Sequence, residues 1–202
     1  MQSGRLFVLS GPSGTGKGTI CKELIKDGTA DLSVSMTTRA PRTGEIEGVS
    51  YYFVTREEYD RTIAEDGFLE HAEIYGNCYG TPKAPVLEKL AKGRDVILEI
   101  EMQGAVNVKK AYPDAVLIFV LPPSLKVLKD RLTGRGTESE EQLQKRTVQA
   151  LSEIHRIFEY DYSVINDDLQ TAVEDVKAIM KAEHFKVNAE TAFLVKKYEE
   201  EE

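Results

Sequence analysis

Gly11-Pro12-Ser13-Gly14-Thr15-Gly16-Lys17-Gly18-Thr19 directly follows the apolar run Leu6-Phe7-Val8-Leu9 and leads into a helix-forming stretch from Ile20 to Lys26. Strand, glycine-rich turn, lysine and helix, in that order, make a phosphate-binding loop. Glycines at 11, 14 and 16 let the backbone turn tightly, so that successive N–H groups face an anion. The helix that follows adds the positive end of its dipole at the same spot. Lys17 then reaches the outer phosphates as a point charge. The spacing G-x-x-x-x-G-K is complete, but Gly18 stands where a Ser or Thr usually meets magnesium, and Thr19 comes one residue later.

A chain of 202 residues supports one well-buried core with room for an inserted lobe. Its apolar content of 41% and charged content of 30% are ordinary for a globular domain. The net charge of −8 argues against nucleic-acid binding through a basic face, so an anionic ligand must be met by local clusters of arginine and lysine. The two cysteines, Cys21 and Cys78, lack metal-type spacing and suit a reducing cytoplasm. No leader segment is expected, and no apolar run reaches membrane-spanning length.

Leu6 to Ser10 reads as a strand buried on both faces, and Ser33 to Met36 as a second short strand. From Thr37 to Val54 the character changes to turns and antiparallel structure. Thr55 with Glu58 is a capping box for a helix to Ala64, and Phe68 to Tyr75 is a strand. Thr81-Pro82 predicts an N-cap and first-turn proline for a helix ending at Gly93. Parallel-type strands resume at Asp95 to Ile100 and Ala115 to Leu121, with a helix from about Gln103 to Ala111 between them. Ser124 caps a helix through Leu132, Gly134-Arg135-Gly136 interrupts, and a long helix runs from about Ser139 to Tyr160. Tyr162 to Ile165 is a last strand, Asp168 to Phe185 a helix, and the tail from Lys186 a fraying one. Strands alternating with helices predict a doubly wound α/β core with a parallel sheet. Residues 35–82 break the alternation as an inserted mixed-β lobe, and 124–160 form a helical, arginine-rich second mobile element.

Within the insert, Arg39 and Arg42 lie three apart beside Thr37 and Thr38, in a loop stiffened by Pro41. A guanidinium forks two hydrogen bonds onto phosphate or carboxylate oxygens, and Tyr51 and Tyr79 add phenolic donors for the same anion. Surface charge is the competing reading of that pair; the phosphate loop in the same chain favours the anion site. Glu99 and Glu101 lie two apart at the end of a buried strand and share one side. They fall at the carboxyl end of the sheet, where ligands of open α/β folds gather. His71, His155 and His184 have no partner pattern and read as structural or exposed.

S-M-T-T-R-A-P-R-T-G-E, Y-Y-F, F-L-E-H-A-E, G-N-C-Y-G-T, L-E-I-E-M-Q-G, R-G-T-E-S-E-E and V-I-N-D-D follow the phosphate loop in that order. The ordered set resembles the guanylate kinase family over about residues 4–185. The resemblance implies a P-loop NTPase core (1–34, 83–123 and 161–202), a GMP-binding lobe (35–82) and a lid (124–160). It also implies transfer of the γ-phosphoryl group of ATP to GMP, with magnesium, ATP and GMP as small-molecule substrates, and no nucleic-acid or membrane partner. By the same resemblance Arg39, Arg42, Tyr51 and Tyr79 hold the GMP phosphate, and Ser35, Glu70, Thr81 and Glu101 contact guanine. Gly11, Pro12, Ser13, Gly14, Thr15, Gly16, Lys17, Gly18 and Thr19 are expected to hold the ATP phosphates, and Asn166-Asp167, from their place after the last strand, to border the adenine. Family members often carry tyrosine where Cys78 stands and aspartate where Glu99 and Glu101 stand. Arg131, Arg135 and Arg146 are expected to swing over the ATP phosphates, with helix-surface ion pairs as their competing reading. Thr19, or Glu99 through water, is the candidate metal contact. Two other readings compete: a scaffold domain that binds phosphopeptides, opposed by the intact Lys17 loop, and a kinase for another nucleoside monophosphate, opposed by Glu70 and the arginine insert.

Overall fold

The structure, a computed structural model, describes residues 3–74, 76–133, 140–187 and 189–201. Its centre is β1 (Leu6–Ser10), every residue of which is buried. β1 lies between β7 (Val96–Glu99) and β8 (Val116–Leu121), with β2 (Asp31–Leu32) and β9 (Tyr162–Ile165) at the edges of a five-stranded sheet ordered β2-β7-β1-β8-β9. All four pairings are parallel. Such a sheet needs cover on both faces, which explains why the strands read as unbroken apolar runs rather than alternating ones.

The period of two along β1 divides its side chains between two cores. Phe7 and Leu9 pack with Ile20 and Leu24 of α1 (Lys17–Lys26) and with Val173 and Val176 of α7 (Leu169–Glu183). Leu6 and Val8 pack with Val86 and Leu90 of α3 (Lys83–Ala91) and with Ala105 and Val108 of α4 (Met102–Ala111). Each side chain of that size contributes about 1.5–3 kcal/mol by burial, so the loop leaving β1 is anchored on both sides. The chain leaves β1 for the β2 edge and later crosses from β7 over β1 to β8 and the β9 edge, and the crevice above the carboxyl end of the strand at such a reversal is where ligands bind.

A second, mixed sheet of four strands is ordered β4-β3-β6-β5. These strands are β4 (Tyr52–Phe53), β3 (Met36–Thr37), β6 (Asn77–Pro82) and β5 (Phe68–Ile74). β3 and β4 are parallel and the other pairs antiparallel. Tyr59 of α2 (Arg56–Ala64), Phe68 and Cys78 form its small core, and β5 runs against α4, joining the two sheets. The capping box at Thr55 and Glu58 forms as its spacing dictates. Beyond β8, Ser124 Oγ accepts from the Val127 N–H at 3.2 Å to start α5 (Leu125–Thr133). Leu125, Leu128 and Leu132 of α5 pack on Ala150 of α6 (Glu140–Ile154).

Several boundaries differ from the sequence reading. The strand expected at Ser33 to Met36 does not form: Ser33 to Ser35 are the link that crosses from β2 of the core sheet to β3 of the insert, and only Met36 lies in a strand. Thr81 does not cap α3. It lies in β6, Pro82 is the N-cap, and the Thr81 hydroxyl is used elsewhere. The helix expected to run to Tyr160 ends at Ile154 and tightens into a 3₁₀ turn over His155–Glu159. His184, expected to have no partner, sets Nε2 2.8 Å from Asp95 at the end of the sheet remote from the loop. The tail forms α8 (Ala189–Glu200).

Candidate active site

Gly11, Gly14 and Gly16 all take positive φ, which β-carbon-bearing residues resist. At Gly16 a β-carbon would stand 2.3 Å from Asn166 Nδ2, and at Gly11 2.5 Å from the Val120 carbonyl. Two loop carbonyls, those of Gly11 and Pro12, are held by hydrogen bonds from within the loop. Lys17 Nζ donates to Gly11 O at 2.6 Å and Pro12 O at 3.0 Å, and the Thr15 hydroxyl also donates to Pro12 O at 3.0 Å. Burial lowers the Lys17 pKa, while Glu101 and Glu99 pull the other way and favour the ammonium. Gly18 is closed off by Glu99, whose carboxylate oxygens would lie 3.0 and 3.3 Å from a β-carbon there.

In the second sheet, Glu70 projects from β5 and is 9% exposed. Its Oε1 accepts from the Thr81 hydroxyl at 2.7 Å, and burial raises its pKa against the pull of that bond. Oε2 faces Gly104 in the first turn of α4, where a β-carbon would come within 3.0 Å. The hydroxyls beside the arginine pair sew that loop to β6: Thr37 Oγ1 donates to Cys78 O, and Thr38 Oγ1 accepts from Cys78 N–H, both at 2.9 Å. Arg39 stacks over the Tyr51 ring at 5.5 Å, and the Tyr51 and Tyr79 rings meet edge to face at 6.0 Å. Tyr59 Oη donates to the Tyr79 carbonyl at 2.7 Å, fixing that strand.

Glu45, which sequence reasoning passed over, links the arginines. Its Oε1 accepts from Arg39 Nη2 at 2.8 Å and its Oε2 from the Arg42 backbone N–H at 2.7 Å. The Arg39 guanidinium holds the Glu45 carboxyl below the usual carboxylate range. On the facing side, Arg146 Nη2 donates to Ser13 Oγ at 2.9 Å, so α6 already touches the loop. Arg131 Nη1 is buried without a hydrogen-bond partner among the described residues. Arg135 lies outside the described residues, as do Gly134 and Gly136.

One cleft of about 1120 Å³ joins these groups. Of the predicted residues, Ser13, Gly14, Gly16, Lys17, Gly18, Thr19, Ser35, Tyr51, Glu70, Tyr79, Glu99, Glu101, Arg131 and Asn166 line it. Gly11, Pro12, Thr15 and Thr81 stand behind the wall as supports, and Arg39, Arg42 and Arg146 lie outside the wall itself. The glycine-rich loop at one end and a buried carboxylate at the other are thus parts of a single cavity.

The match to known proteins covers this whole arrangement. The guanylate kinase family model fits residues 3–183. The chain belongs to the guanylate kinase family. It is 51% identical over 202 residues to the guanylate kinase of Clostridioides difficile strain 630, covering 100% of this chain and 98% of that one. The guanylate kinase of Carboxydothermus hydrogenoformans is 54% identical over 187 residues, with 92% of each chain covered. Among solved structures, that of guanylate kinase from Anaplasma phagocytophilum superposes with a TM-score of 0.74 at 34% identity, over 93% of this chain and 89% of that one.

Beside the guanylate kinase motifs, two functional features had readable signals. A glycine inside a helix costs about 1 kcal/mol relative to alanine, so Gly104 within α4 marked a close approach. An acid three residues after Arg42 in a Gly-containing turn marked the Glu45 bridge. Cys78 is 3% exposed in the lobe core beside Tyr59 and Phe68, so it faces away from the cleft. Magnesium holds few protein ligands and takes most of its shell from phosphate and water. Glu99, whose carboxylate lies against Gly18, and Thr19 on the same wall meet that modest need. Among the described residues, no three acidic, His or Cys side chains cluster to hold a metal unaided.

Proposed function

We propose that this guanylate kinase carries out ATP + GMP → ADP + GDP with ATP laid along Gly11–Thr19 and GMP seated against the second sheet. The observation that carries the reading is the buried Glu70 carboxylate, pinned by Thr81 and facing the same cleft as the phosphate loop. Guanine presents N1–H and an exocyclic amino group as adjacent donors, which one carboxylate accepts together. Adenine offers a lone pair at N1 and would leave Glu70 desolvated and unpaired. Ser35 and Glu101 complete the base contacts, and Arg39, Arg42, Tyr51 and Tyr79 meet the GMP phosphate. Lys17, Arg131, Arg135 and Arg146 neutralise charge on the transferring group. The attacking phosphate oxygen is already anionic, so no general base is needed. Magnesium, bound with ATP, adds charge neutralisation at the β- and γ-phosphates; Glu99, through water, and Thr19 would hold it.

In this scheme 1–34, 83–123 and 161–202 form the core, 35–82 the GMP lobe and 124–160 the lid, whose closure excludes water from the γ-phosphoryl group. A cytoplasmic setting suits the two free, buried thiols, Cys21 and Cys78. No described helix is long and apolar enough to cross a membrane.

The acceptor test is ADP release with GMP, AMP, CMP or UMP. GMP should be preferred to AMP by roughly four to five orders of magnitude in kcat/KM. No turnover with any of them would leave the scaffold reading, and turnover with AMP alone would assign a different kinase. Gly104→Ala provides a narrower test. Because Thr81 pins Glu70, the carboxylate cannot retreat freely from the added methyl. Overpacking costs about 1–3 kcal/mol, so KM for GMP should rise roughly tenfold while KM for ATP stays unchanged.

A further inference from the structure

We infer that Asn166 is a positioning residue that aims the phosphate loop's amide at the anion, an inference that rests on the reading of Gly11–Thr19 as the ATP phosphate site. Asn166 follows β9 directly, and its backbone N–H donates to Leu121 O at 2.8 Å, so its position is set by the sheet. The side chain is buried, and Nδ2 donates to the Thr15 carbonyl at 2.7 Å across 151 residues of sequence. A trans peptide is planar, with its C=O and N–H pointing opposite ways. Holding the Thr15 carbonyl back therefore turns the Gly16 N–H forward, away from Asn166 and toward the space the cradle encloses.

Other carbonyls of the loop are held by the loop's own side chains. Pro12 O is held from within the loop, by Lys17 and by the Thr15 hydroxyl. Gly11 O is held by Lys17, and the next residue is a proline with no N–H to aim. Thr15 O is the member of this set that the loop does not hold from within. An unheld carbonyl here would be free to rotate toward a triphosphate and repel it. Gly16 is the counterpart of the clamp, because a β-carbon there would stand 2.3 Å from Nδ2 and drive Asn166 off its acceptor.

A contact to adenine would make Asn166 read the base; the clamp makes it serve any polyphosphate. Isothermal titration of the intact chain with ATP, with inorganic tripolyphosphate and with GMP separates the two. Asn166→Ala should weaken ATP and tripolyphosphate by the same factor, roughly tenfold or more for a buried hydrogen bond lost, with GMP affinity unchanged. Asn166→Asp keeps the shape but sets an anionic oxygen against the Thr15 carbonyl, and should be weaker still for both polyphosphates. Loss of ATP affinity with tripolyphosphate unaffected would overturn the clamp in favour of a base contact. Equal loss of GMP affinity would reduce the role to general stability, and no loss of any ligand would also overturn it. If the parent chain bound neither polyphosphate, the reading of the loop itself would fall, and the clamp with it.

Discussion

Arg131→Ala should cut turnover by roughly three to five orders of magnitude, the effect of losing a guanidinium that meets the transferring phosphoryl group. The expectation rests on an anomaly. Arg131 lines the cleft, yet its Nη1 is buried with no hydrogen-bond partner among the described residues. A guanidinium stays charged at any physiological pH, and leaving a buried donor unpaired costs about 1–3 kcal/mol, more for a charged group. Such a donor is tolerated where a ligand supplies the missing acceptor. The neighbouring Leu128 and Leu132 hold α5 against Gly14, so Arg131 is carried on a helix that rests on the loop. Steady-state kinetics should show kcat falling with KM for GMP nearly constant, and circular dichroism should show the fold intact. A loss of less than about tenfold would remove Arg131 from the chemistry.

Glu70→Gln should separate stability from function. Glutamine can still accept the Thr81 hydroxyl bond, but it meets guanine's two donors with one acceptor and one clashing donor. A polar mismatch of that kind costs roughly four orders of magnitude in kcat/KM. The thermal midpoint should move the other way. Burial raises the pKa of Glu70 above that of an unfolded glutamate, so the native chain holds its proton to higher pH than the unfolded chain does. Ionisation therefore costs native stability: the cost is absent below the unfolded value, about 4.3, and complete once pH passes the raised native value. Glutamine removes it, so the variant should melt higher at neutral pH and lose that advantage in acid. In the parent, GMP affinity should decline as pH drops through the raised value, at less acidic pH than an ordinary carboxylate would give. Unchanged GMP turnover in the variant would sink the guanine assignment.

The phosphate loop and the parallel sheet could be read because their signals are local. Glycines at positive φ, a lysine and unbroken apolar strands each report on a few adjacent residues. The Thr55 capping box and the β9 strand were legible for the same reason. What stayed hidden depends on groups far apart in the chain. Thr81 beside Pro82 satisfies the local rule for a helix cap, but Glu70, eleven residues earlier, claims its hydroxyl. Ser33 to Met36 reads as a strand because no local feature says that most of it is the link between two sheets. Asn166 reads as a nucleotide contact on position alone, since its carbonyl partner lies 151 residues away. The residues proposed for base recognition came from family likeness; no spacing rule singles out Glu70 on β5.

The Arg39–Glu45 pair bears on how this enzyme rests between turnovers. A bare guanidinium fork facing solvent would be a trap for any small oxyanion in solution. Here Nη2 is engaged by the tethered Glu45 carboxylate and Nη1 by the Ala40 carbonyl, so under the proposed seating of the GMP phosphate on Arg39 a stray phosphate must displace an internal rival that never diffuses away. A nucleoside monophosphate brings base contacts that help its phosphate win that exchange, and a free inorganic ion does not. On that proposed placement Glu45 is a tethered competitor within the lobe, one that would tell substrate from bystander before any chemistry begins.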